Sequence, residues 1–126
     1  EGDPDCFGEE GCDVLRTMND VRRDNALYTL DYVMAKNYRW VELADGQRAL
    51  CARSYNLASA SGSVIDLYQG YSIDVFLPEG GGAVRYQATW QEVELGGLDA
   101  EDVVKTVAQG IDDQFTVMDE WLDENL

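Results

Sequence analysis

Few residues of this chain are able to do chemistry, and the densest group lies at its start. The stretch DPDCFGEEGC, residues 3–12, sets Cys6 and Cys12 among four carboxylates. A calcium loop of the EF-hand kind needs oxygen ligands at its first, third, fifth and twelfth positions. Counting from Asp3, Asp5 and Gly8 fit the third and sixth places, but Phe7 and Val14 fall at the fifth and twelfth, so calcium is excluded. Zinc sites draw on four Cys or His ligands, and the chain has three cysteines and no histidine. The spacing is also not the Cys-x-x-Cys of a redox motif. No metal or cofactor is expected. A disulfide is: Cys6 with Cys12 in a small loop, or Cys51 tethering the N-terminal arm. The tether closes the longer loop and would stabilise by on the order of 3–4 kcal/mol. A reducing cytosol would leave all three as thiols, so a bridge points to export.

Catalysis finds little to work with. The absence of histidine removes Ser-His-Asp and Cys-His chemistry. Ser-Lys chemistry would need Lys36 or Lys105, and both read as ordinary helix surface. Glu92 and Glu94, two apart on a strand, could bring paired carboxylates to a sugar. Such an enzyme also needs an aromatic-lined cleft, and the nearby Tyr86 and Trp90 read as core, which leaves Glu92 and Glu94 as a solvated strand face. Gly80-Gly81-Gly82 leads into a strand rather than a helix N-terminus, so it reads as a hairpin and not a phosphate cradle. The chain is expected to be no enzyme; a small secreted toxin or carboxylate-dependent hydrolase is the alternative those glutamates keep open.

Binding is better supplied. Tyr38, Trp40, Tyr55, Tyr68 and Tyr71 exceed what one apolar sheet face needs. With Arg39 and Arg53 they have the composition of a contact hot spot and form the candidate partner-binding set. Arg39, Arg48, Arg53 and Arg85 could instead make an anion pocket, or pair across strands with Glu42, Asp74, Glu92 or Glu94, which is the preferred reading.

Charge narrows the partner. Nine basic residues against 25 acidic ones give −16. That surface repels nucleic acid and anionic lipid and attracts a basic protein, unless the acidity serves only solubility or a salty habitat. No apolar run is long enough to span a membrane. A start at Glu1 suits a removed signal peptide or a trimmed chain. Secreted or periplasmic location is therefore expected, with the cytoplasm as alternative.

The elements that must hold these residues read as helix, strands, helix. Asp13 caps a first helix whose stripe runs Val14, Leu15, Met18, Val21 and on through Tyr28, Tyr32 and Ala35; Leu27 to Met34 also alternates and reads second-best as strand. Strands follow at Arg39–Leu43, Arg48–Tyr55, Ser63–Tyr68 with Tyr71–Leu77, and Ala83–Leu95, turned at Asp45-Gly46 and at Gly80-Gly81-Gly82. Along the last strand the apolar set jumps parity from Trp90 to Val93. The jump places a β-bulge near Gln91-Glu92, or else leaves both faces partly covered. Gly96-Gly97 and a capping Asp99 open the final helix, striped by Val103, Val104, Val107, Ala108, Ile111, Phe115, Met118 and Leu122. Gly110 inside it suggests a close approach or a kink. The expected fold class is α+β: an antiparallel β-meander of four to five strands with an N-terminal and a C-terminal helix packed on one face, a two-layer sandwich. Residues 1–126 form one domain, with residues 1–12 as an acidic arm.

Gly96-Gly97-Leu98 leading into the capped helix, in an acidic helix–meander–helix chain, resembles the dimeric secretion-chaperone fold. The likeness covers the last third, and the chain lacks that fold's helix between strands. It implies an acidic homodimer. The leading expectation is a non-catalytic exported protein-binding module, inhibitor or immunity-type, for a basic protein partner, with the chaperone-like homodimer as alternative.

Overall fold

Alternation, not a helical stripe, governs the first half of the chain. The computed structural model describes residues 2–125, with the backbone alone for residue 125. There, β1 (Val14–Asp24) and β2 (Thr29–Glu42) are paired antiparallel from Val14↔Arg39 to Asp24↔Thr29. The expected N-terminal helix does not exist. Residues 14–42 are rich in Val, Thr, Tyr and Trp, which suit a pleated surface better than a helix. The polar run at residues 22–25 ends β1 and enters a turn over residues 25–28, in which Asn25 Oδ1 accepts the N–H groups of Leu27 and Tyr28 at 2.9 and 3.1 Å. The strand reading of Leu27 to Met34 holds from Thr29 onward, with Leu27 and Tyr28 in the turn.

β2 continues through the Asp45-Gly46 turn into β3 (Arg48–Asn56), then a two-residue β4 (Ala60–Ser61), β5 (Asp66–Glu79) and β6 (Gly82–Glu94). All pairs are antiparallel: β2 lies between β1 and β3, while β5 takes β3 and the stub β4 on one side and β6 on the other. β1 and β6 are thus the sheet's two edges. The β5–β6 hairpin has Gly80 and Gly81 at φ of 57° and 88°, a backbone that two-residue hairpin loops require and side chains resist.

The bulge lies on β5, not on β6: the register shifts between Leu67 and Gln69, so Tyr68 is the extra residue. β6 runs on unbent, and Trp90 and Val93 point to opposite faces. Leu67, opposite Val93, is turned to the face away from Trp90.

Directly opposed residues share a face, so the registers define two. On the Asp74 face lie Leu30, Tyr38, Trp40, Leu50, Ala52, Ser54, Phe76, Asp74, Arg85 and Gln87. On the Trp90 face lie Met18, Ala35, Arg39, Ala49, Cys51, Arg53, Tyr55, Tyr71, Ile73, Val75, Tyr86 and Trp90. The buried apolar residues of β2 to β5 divide unevenly: Leu30, Ala52 and Leu67 on the first, Ala35 and Ala49 alone on the second.

The chain divides into two compact units, Glu1–Glu94 and Leu95–Leu126. The second contains α1 (Ala100–Asn125). Asp99 Oδ1 caps it by accepting the N–H groups of Glu101 and Asp102. Helix is confined to α1 among the described residues. A methyl group at Gly110 would meet nothing within 4 Å, so no close approach requires glycine there.

Candidate binding face

Three neighbouring rows of the Trp90 face make the candidate site. One runs Met18, Ala35, Tyr55, Tyr71, Trp90; the next Arg16, Asn37, Arg53, Ile73, Ala88; the third Val14, Arg39, Cys51, Val75, Tyr86. Tyr71 and Trp90 rings lie 6.0 Å apart at a tilt. The Arg53 guanidinium stands 5.8 Å over the Tyr55 ring. Arg39 and Arg53 make no ion pair with the described carboxylates. Met18, Tyr86 and Trp90 are 71%, 59% and 55% exposed. Aromatic and apolar area interleaved with arginine is the makeup of contact hot spots, because it offers large rigid surface with charge that desolvates readily.

Of the sequence-predicted set, Arg39, Arg53, Tyr55 and Tyr71 come together here. Tyr38 and Trp40 do not. They lie on the Asp74 face under the N-terminal arm, where Phe7 meets both rings at 6.3 Å. Cys6 and Cys12 form a disulfide, and Cys51 is a free thiol on the Trp90 face, so the tether through Cys51 is not made. The closed loop is pinned by Arg48. Its guanidinium donates to the Gly8 carbonyl at 2.6 Å, pairs with Asp13, and lies 5.0 Å over Trp40. Trp40 Nε1 is buried with no hydrogen-bond partner among the described residues. Tyr68, at the bulge, is exposed and donates to Glu94 at 2.6 Å, which raises its phenol pKa.

The Asp74 face is filled by its own polar pairs. Arg85 Nη2 meets Asp74 Oδ1 at 2.5 Å, with the two side chains 17% and 13% exposed. Ser54 and Ser72 hydroxyls share a hydrogen bond of 2.6 Å. Burial, and secondly the Asp74 charge, pushes the Tyr38 phenol above its ordinary value of 10.0. Asn56 ends β3 by donating to the Ala58 carbonyl at 2.8 Å while accepting the Gly70 N–H at 2.5 Å, so one amide satisfies both the break and the bulged strand.

The arginines divide two and two between the faces. Arg85 pairs with Asp74 as the cross-strand reading expects; Arg48 takes Asp13 instead, and Arg39 and Arg53 take no carboxylate among the described residues. Lys36 stands on a strand opposite Ser54, not on a helix, and is not hydrogen-bonded to it among the described residues. Glu92 and Glu94 are both exposed. The described residues hold no cluster of three or more His, Cys, Asp or Glu able to bind a metal, and no described helix is long and apolar enough to cross a membrane.

Sequence reasoning missed Tyr86 and Trp90, taken as core. The parity jump from Trp90 to Val93 carried the signal: with no bulge on β6, the set that ends at Trp90 faces away from the set that begins at Val93. No known protein family, curated protein or solved structure matches this chain.

Proposed function

We propose that this chain is a non-catalytic protein-binding module that works outside the cytoplasm and makes contact through the Trp90 face. The observation that carries the reading is the exposed pair Tyr86 and Trp90, continued by the half-buried Tyr55 and Tyr71, with the exposed Arg39 and Arg53 set among them. The Cys6–Cys12 disulfide supports the compartment.

Local charge selects the partner segment. Screening in physiological salt acts over about 8 Å, so a segment docked beside Arg39 and Arg53 feels them more than the acids at the ends of the face, Asp20 and Glu92. The segment this face suits combines apolar side chains with carboxylates. A specific observation favours a second reading, a basic partner engaging α1. Residues 95–126 hold nine of the 25 carboxylates against one lysine, and α1 exposes Val104, Val117 and Trp121.

Selection from a random peptide library separates the two. The first reading expects carboxylate-bearing, apolar peptides that bind the wild-type chain and are lost with Arg39→Glu/Arg53→Glu. Basic peptides indifferent to that double variant would replace it with the second reading.

A further inference from the structure

The two edges of the sheet are protected unequally. An exposed edge strand is a template for another strand, and proteins blunt it with charges, proline or bulges. β1 carries Arg16, Asp20, Arg22, Arg23 and Asp24 within its 11 residues. β6 is 13 residues long, without proline or lysine, and its register irregularity sits on β5. Between Glu79 and Glu92 there is no carboxylate, in a chain with 25 of them. Its side chains Tyr86 and Trp90 are more than half exposed, and its outer side meets no strand among the described residues.

We infer that β6 is a self-recognition edge, at which a second copy of this chain adds its own β6 antiparallel across a two-fold axis perpendicular to the sheet. Residues opposed across such an axis share a face, so their numbers share parity. The register that pairs the whole of Gly82–Glu94 has its midpoint at Ala88. It sets Tyr86 against the partner subunit's Trp90 and Trp90 against the partner subunit's Tyr86, so each exposed aromatic gains an aromatic neighbour. Gln87 meets the partner subunit's Thr89, Arg85 the partner subunit's Gln91, and Val84 the partner subunit's Glu92. No like charges are opposed. Moving the axis to Thr89 instead sets Tyr86 against the partner subunit's Glu92, and shortens the pairing. In the dimer the two Trp90 faces become one continuous surface, while Arg39 and Arg53 stay clear of the junction.

Each copy carries −16, so long-range repulsion opposes assembly and added salt strengthens it. Attraction to a basic partner has the opposite salt response.

Sedimentation equilibrium of the full chain tests the inference. A species of about twice 14.1 kDa is expected, tightening as NaCl rises. Ala88 is exposed and meets itself on the axis, so Ala88→Glu is expected to weaken the dimer about a hundredfold with an unchanged circular dichroism spectrum. An equimolar mixture of Ala88→Glu and Ala88→Lys is expected to restore a dimer that neither forms alone. In the wild-type chain, amide exchange in β6 is expected to slow with protein concentration while β1 does not respond. A monomer at every concentration and salt, a dimer indifferent to Ala88→Glu, no dimer from the mixture, or concentration-dependent protection in β1 instead of β6 each overturns it.

Discussion

The two faces of this one sheet solve opposite problems. The Asp74 face closes on itself: its ion pair is less than one-fifth exposed, Ser54 and Ser72 satisfy each other, and the disulfide-bridged arm lies over Tyr38 and Trp40. The Trp90 face leaves Tyr86 and Trp90 exposed, and its Arg39 and Arg53 pair with no carboxylate among the described residues. The same residue types thus do different work. Arg85 is held by a buried aspartate, whereas Arg53 is exposed above a half-buried tyrosine ring, where the proposed contact would use it. The distinction is visible only once register assigns each strand position to a side.

The sharpest way to break this comparison is to remove one charge from each face. Asp74→Ala removes the carboxylate that faces the Arg85 guanidinium in a poorly solvated site, and urea denaturation is expected to show a loss of about 3 kcal/mol. Arg53→Ala removes an exposed charge and is expected to stay within about 0.5 kcal/mol. Equal losses would mean that the faces are not different in kind. An apolar pair sharpens the point: Leu67→Ala is expected to cost about 3 kcal/mol, against less than about 1 kcal/mol for Ile73→Ala, which is 37% exposed.

Smaller effects probe the arm and the buried phenol. Replacing both Cys6 and Cys12 by Ser is expected to cost at most about 2 kcal/mol, since the loop is short. Reductant should lower the wild type's denaturation midpoint and leave the variant's unchanged. The folded-state pKa of Tyr38 is raised, so its contribution is intact below the unfolded value near 10 and is lost as pH rises through the folded value. Exposed Tyr68 acts in the same direction. Denaturation midpoints are therefore expected to fall above about pH 10, and to fall less in Tyr38→Phe; an equal fall in that variant would deny the burial of this ring.

Much of the sheet was legible because its punctuation is strong. Asp45-Gly46, Gly80-Gly81 and Asp99 mark turns and a cap by mechanisms local to a few residues. The first half of the chain was not. Val14, Leu15, Met18 and Val21 satisfy a helical stripe, yet Leu15, Thr17 and Val21 equally satisfy a strand. Only pairing to β2, thirteen or more residues away for every partner but those nearest the turn, decides between them. The site was half legible for a related reason. Arg39, Arg53, Tyr55 and Tyr71 were picked by type, but Trp40 sits one position from Arg39 and therefore on the other side. Trp90 was assigned to the core because its strand neighbours are apolar, and nothing local says which face the chain covers.

Each face carries one tryptophan of the sheet, which makes the decisive measurement direct. The chain labelled with 5-fluorotryptophan gives one fluorine resonance each for Trp40, Trp90 and Trp121, assigned by single Trp→Phe variants. Titration with a library-selected acidic, apolar peptide is predicted to shift the Trp90 resonance saturably, to leave Trp40 unmoved, and to lose the effect in Arg39→Glu/Arg53→Glu. A peptide that binds while Trp90 stays still, or that moves Trp40 or Trp121 in its place, would contradict the assignment of the Trp90 face as the binding surface.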